Sequence, residues 1–123
     1  MDADNAGQTV AGVNTKFYVL AHYSRHIRPG MEIIDGGEGN TIAAYDNSRS
    51  LLVLVTTNYG NPQYVTYDLS NFGACEENIE VWETNTDGGF KYEHFGYGGA
   101  VSDQSVTIYF DANSVQTLEI KCV

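Results

Sequence analysis

The chain is poor in positive charge. Six Lys+Arg stand against 16 Asp+Glu in 123 residues, a formal charge of −10 at pH 7. That field repels phosphate backbones and anionic lipid surfaces, so neither nucleic acid nor a membrane is an expected partner. Long apolar runs are missing too. The longest, Leu51-Leu52-Val53-Leu54-Val55, falls far short of the ~20 residues that cross a bilayer and reads as a buried strand. The length is about half of what a (β/α)₈ barrel needs and suits one domain with one modest core. No G-x-S-x-G, Walker A or dinucleotide fingerprint occurs, and Gly36-Gly37-Glu38-Gly39 reads as a turn. Met1-Asp2-Ala3-Asp4-Asn5 lacks the apolar core of a leader.

What is present is a globular balance, 42% hydrophobic and 18% charged. Residues 1–13, rich in Gly, Ala, Asn and Asp, read as a flexible arm or linker, and 14–123 as the folded domain. Residues 14–28 fit two patterns. Val13, Phe17, Leu20, Ser24 and Ile27 make a helical stripe with Asn14 as N-cap, while Phe17, Val19, Ala21 and Tyr23 alternate like a strand. Pro29-Gly30 stops either element. Strands are predicted at Met31–Asp35, Thr41–Tyr45, Leu51–Asn58, Gln63–Leu69, Ile79–Thr84, Phe90–Phe95, Ser105–Phe110 and Ser114–Val123. Their regular spacing points to an all-β fold, an antiparallel, jelly-roll-like β-sandwich, with a short N-terminal helix as an option.

The aromatic residues are the most informative chemistry: nine Tyr, five Phe and one Trp. Rings stack on the C–H faces of sugars, and amides and carboxylates take the hydroxyls. In Ile79-Glu80-Val81-Trp82-Glu83-Thr84, core-facing Ile79 and Val81 put Trp82 on the outer face with Glu80 and Thr84. An odd-length hairpin loop sets Trp82 opposite Tyr92 and brings Phe90 and His94 to the same face; an even one sets it against Glu93. Tyr97, in the Gly96–Gly99 loop, extends that platform. The alternative is that Trp82 is a core residue and the register is reversed. The acids Glu76, Glu77, Glu80, Glu83 and Glu93 read as a solvated face rather than the facing pair that glycoside hydrolysis requires.

Two metal sites can be drawn, and each has a plainer reading. His22 and His26, four apart, could hold Zn²⁺ with a carboxylate, or be ordinary polar histidines. Asp2-Ala3-Asp4-Asn5 could offer oxygens to Ca²⁺, or be a solvated arm. No cofactor is required. Cys75 and Cys122 are either a disulfide or two buried thiols.

The stretch Lys16-Phe17-Tyr18 through Ala21-His22-Tyr23-Ser24-Arg25-His26-Ile27-Arg28-Pro29-Gly30 resembles a junction in glycoside hydrolase family 30, where the last barrel helix meets the side β-domain. The likeness continues through Ile42–Asp46, Leu52–Val55, Asn58-Tyr59-Gly60 and Val65–Phe72, and is strongest to endo-β-1,6-galactanase-like members. It covers about residues 15–123. The resemblance implies a β-sandwich, an extracellular carbohydrate setting and a parent hydrolase domain as partner. It carries over no catalytic residue, because that family keeps both catalytic glutamates in its barrel. An isolated piece of this kind also looks like a carbohydrate-binding module, with module family 81 as a candidate. The expected function is therefore non-catalytic binding of β-glucan or xyloglucan through Trp82, Tyr92, Phe90, His94, Tyr97 and Glu80. The rival is a structural side domain with no ligand of its own.

Overall fold

The computed structural model describes residues 21–34, 40–86 and 90–122. The arm at 1–13 and the Asp2–Asn5 oxygens lie outside them. The nine strands among these residues are β1 Glu32–Ile34, β2 Thr41–Asp46, β3 Leu51–Asn58, β4 Gln63–Asp68, β5 Ile79–Asn85, β6 Glu93–Tyr97, β7 Val101–Ser102, β8 Ser105–Phe110 and β9 Ser114–Lys121. They form a six-stranded sheet in the order β1-β2-β3-β9-β5-β6 and a three-stranded sheet in the order β4-β8-β7. All pairings are antiparallel. The all-β sandwich is therefore as the strand spacing predicts.

The main core lies between the sheets. Leu52, Leu54, Val81, Leu118 and Ile120 of the large sheet meet Val65, Tyr67, Val106, Ile108 and Phe110 of the small one. β4 and β8 alternate buried and exposed, as strands with one wet face do. β3 is buried almost throughout because its second face is covered as well. There Leu51, Val53, Val55 and Val115 pack against Tyr23, Ile27 and Met31. The cover is a helix at residues 21–26, so the two-way pattern of 14–28 resolves as helix over its described part. Among the described residues no helix is long and apolar enough to cross a membrane.

Cys75 and Cys122 form a disulfide. It ties the β4–β5 connection to the end of β9, beside the Tyr45 hydroxyl, which donates to the Cys122 carbonyl at 2.6 Å. A crosslink spanning 47 residues contributes about 4 kcal/mol in the chain-entropy account. The short strand β7 has no counterpart among the predicted strands. It is joined to β8 by Asp103 and Gln104, whose φ values of 51° and 59° make a left-handed two-residue turn without glycine. Gln104 is held there by its side-chain amide, which donates to the Gly73 carbonyl at 2.6 Å.

Candidate functional site

β5 sorts its residues as the alternation requires. Ile79 and Val81 face the core, and Glu80, Trp82 and Thr84 face outward. The predicted cross-strand partner differs. Trp82 stands opposite His94, not Tyr92, and Glu83 opposite Glu93. The cause is a bulge. Asn85 receives the Phe90 N–H on its side chain at 2.7 Å and donates its own N–H to the Phe90 carbonyl at 2.8 Å. Between that contact and the Glu83–Glu93 pair, β5 has Thr84 alone while the other strand has Lys91 and Tyr92. Tyr92 takes a left-handed φ of 55° and gives its N–H to the Thr84 hydroxyl at 2.9 Å.

The bulge divides the predicted platform. Tyr92 and His94 do join Trp82 and Glu80 on the outer face. Phe90 and Tyr97 do not, which corrects their placement there. Phe90 packs edge-on against Phe95 at 5.3 Å, and Phe95 stacks on Tyr97 at 6.3 Å. Phe95 and Tyr97 pair with core-facing Val81 and Ile79, so this row lies on the inner side of β6. Tyr97 is the last residue of β6, not a loop residue.

The outer face is occupied by the helix. His22, fully buried, bonds Thr117 Oγ1 through Nδ1 at 2.7 Å and Thr84 Oγ1 through Nε2 at 2.8 Å. Burial, reinforced by nearby His26, depresses its pKa to about 3, so the ring is neutral and one nitrogen donates while the other accepts. His26 bonds Glu119 through Nδ1 and the Tyr92 hydroxyl through Nε2, both at 2.6 Å. Its ring also lies 4.3 Å from that of Trp82. On the other side His94 stacks on Trp82, 4.4 Å away and 3° from parallel, and bonds Glu80 at 2.5 Å. Arg25 sits 5.2 Å over the Tyr92 ring. Trp82 is thus half-buried between two imidazoles.

Glu80 and Glu119 are directly opposite across β5 and β9. Like charges so placed repel, and each takes a histidine: His94 for Glu80, His26 for Glu119. The histidine spacing that reads as a possible zinc site is therefore a weld between helix and sheet. Both nitrogens of His22 and of His26 are already engaged, and among the described residues no cluster of His, Cys, Asp and Glu could hold a metal. Sequence reasoning missed Thr117 and Glu119 altogether; the i, i+4 histidines were the signal for them, since such a pair faces whatever the helix packs on.

A second concavity lies on the inner side, where β5 and β6 extend past the small sheet. Its lining includes Glu83, Tyr97, Thr107, Tyr109 and Asp111, and its volume is about 420 Å³. Glu83 is buried there; desolvation, and then the charge of Asp111, raise its pKa.

No protein-family model matches the chain. In sequence it is 35% identical to an endo-β-1,6-galactanase from Hypocrea rufa over 123 residues, covering 98% of this chain and 26% of that enzyme. Its fold occurs in a glycoside hydrolase family 30 subfamily 8 xylanase from Clostridium acetobutylicum, with a TM-score of 0.72 and 20% identity over 87% of this chain and 28% of that one. A family 30 endoxylanase from Clostridium papyrosolvens C71 gives 0.67 and 21%, over 85% and 27%. The chain is related to a glycan-degrading enzyme. That kinship, with the shared fold, supports the resemblance to family 30. The chain spans about a quarter of each of these proteins.

Proposed function

We propose that this domain is the side β-domain of a glycan hydrolase of the endo-β-1,6-galactanase kind, and that helix 21–26 with the outer sheet face forms its structural seat toward the catalytic part. The observation that carries this is the weld: His22 and His26 tie the helix to β5, β9 and Tyr92 by four hydrogen bonds. A helix that only linked two independent units would not be sunk into one of them with fully buried polar groups. In this reading the chain performs no hydrolysis by itself. Its outer carboxylates, Glu80 and Glu119, lie side by side on neighbouring strands and each is taken by a histidine, whereas glycoside cleavage needs two carboxyl groups facing across a sugar.

The second reading is a targeting module for β-glucan or xyloglucan with Trp82 as its platform, and the partial exposure of Trp82 favours it. One variant separates the two. Trp82→Ala in the seat reading opens a hole between His26 and His94, and melting falls by roughly 10 °C. Reducing-sugar release from β-1,6-galactan, β-glucan and xyloglucan stays at background with either protein. A variant that melts like the parent but loses tenfold or more of its retardation in β-glucan or xyloglucan gels would establish Trp82 as the platform instead.

A further inference from the structure

The small sheet leaves an edge open. β7 covers only Ser105 and Val106 of β8, so among the described residues β8 has no strand beside it from Thr107 to Phe110 on that side. Edges of this kind are usually blunted or covered. Here the buried Gln116 reaches across from β9 and donates its side-chain amide to the Tyr109 carbonyl at 2.8 Å. That bond ties β8 to β9 from the inside, next to the cleft.

The cleft has a tyrosine ring from each side in its lining. On one wall Tyr97, 40% exposed, continues through stacked Phe95 to Phe90. On the other stands Tyr109, 47% exposed, which lines the cleft from β8 and meets Tyr64 at 5.2 Å on the wet face of the small sheet. Glu83 sits between the walls, near enough to Tyr97 that its charge opposes ionisation of the Tyr97 hydroxyl, burial being the larger cause. Asp111 and Thr107 complete the polar lining. Tyr97 and Tyr109 thus present partly exposed rings to a cavity that also holds carboxyl and hydroxyl oxygens.

We propose that the β6–β8 cleft binds a segment of neutral polysaccharide, with Tyr97 and Tyr109 stacking on sugar faces and Glu83, Asp111 and Thr107 taking hydroxyl groups. The pairing of flat apolar rings with convergent oxygens suits a ligand with C–H faces and a rim of hydroxyls. The two carboxyl groups and a net charge of −10 turn away polyanions. A purely apolar ligand would leave the buried Glu83 without a polar partner from the ligand. The inference goes beyond the seating role, because the cleft lies on the opposite side of the large sheet from the helix and uses none of its residues.

The test is affinity gel electrophoresis of the full chain in β-1,6-galactan, xyloglucan and mixed-linkage β-glucan, with polygalacturonate as the acidic counterpart. At least one neutral polysaccharide retards the protein, and polygalacturonate does not. Tyr97→Ala/Tyr109→Ala lowers the affinity about tenfold or more while melting stays within a few degrees of the parent. Should the double variant unfold, the milder Tyr109→Leu carries the same expectation of weakened retardation. Absence of retardation by all three neutral polysaccharides, equal retardation of the cleft variants, or stronger retardation by polygalacturonate overturns the proposal. None of these results bears on how far Trp82→Ala lowers the melting temperature, so the two readings stand or fall separately.

Discussion

The two faces of the large sheet at β5 are built from the same materials, rings and carboxylates, and end in opposite conditions. On the outer face Trp82 and Thr84 meet a helix, Glu80 takes His94 of β6, and each finds a ring or hydrogen-bond partner. On the inner face Glu83 looks into a cleft walled by partly exposed tyrosines. The difference arises from what lies opposite. The helix brings imidazoles, which can satisfy a carboxylate and a hydroxyl at once, whereas the open edge of β8 brings Thr107 and Tyr109 to the rim of a cavity. Rings on a strand therefore do not declare a ligand site; the site is where the opposing layer ends.

The sharpest way to break the comparison is to lower the pH, because the outer face depends on a neutral imidazole. His22 has a folded pKa of about 3 against an ordinary value of 6.5. Above pH 6.5 the ring is neutral folded or unfolded and there is no penalty. As pH falls below 6.5 the unfolded chain binds the proton and the folded one does not, so stability is lost progressively down to the folded value. At about 1.4 kcal/mol per pH unit, the loss approaches 3 kcal/mol by pH 4. Urea melts of the parent and His22→Gln at pH 7 and pH 4 measure it. The parent should lose about 3 kcal/mol more than the variant over that interval; equal losses would mean that His22 is not held neutral.

A smaller perturbation targets the bulge. Tyr92→Phe keeps the ring under Arg25 and deletes the hydroxyl that His26 Nε2 contacts. The cost should be about 1 kcal/mol at neutral pH, read as a drop of roughly 4 °C in melting temperature. No change would show that the His26–Tyr92 contact contributes nothing to closing the outer face.

These residues also show where sequence reading works and where it stops. The alternation Ile79, Val81 against Glu80, Trp82 is a property of one strand, so the outward side of Trp82 is legible from the order of its residues alone. Its partner is not, because pairing depends on the connection. Tyr92, a left-handed non-glycine residue, makes the bulge that inserts one extra residue, so Trp82 meets His94 and Phe90 falls on the other face. Asp103-Gln104 hides β7 for the same reason: a left-handed turn is expected from Asn-Gly, not from this pair. The helix is half visible in Ile27 and in the His22–His26 spacing. What faces those histidines, Thr84, Thr117 and Glu119, is set by tertiary packing across more than 60 residues of chain. The inner cleft is not legible in the sequence at all, since it is defined by the small sheet ending early.

The smallest expected effect has the opposite sign and belongs to the inner face. Glu83 has its pKa raised, chiefly by burial and further by the charge of Asp111, while Asn85 Nδ2 donates to it at 3.4 Å and works the other way. A carboxyl group whose folded pKa lies above its unfolded value costs stability as pH rises through that window, and the full cost is present above the folded value. Glu83→Gln removes the charge, keeps an oxygen for Asn85, and preserves the shape of the cleft wall. The variant should melt slightly higher than the parent at pH 7, by an amount within about 1 kcal/mol, and the gain should vanish near pH 4, where the parent carboxyl is itself protonated. The same change on the outer face, Glu119→Gln, should instead lower the melting point at pH 7, because the Glu119 carboxylate accepts from His26 at 2.6 Å. Opposite signs from one chemical change on two faces of one sheet would confirm that the outer carboxylate is stabilised where it stands and the inner one is penalised by burial. A loss of stability in Glu83→Gln at pH 7 would mean that the surroundings of the inner carboxylate stabilise its charge more than burial penalises it, and the contrast between the faces would go with it.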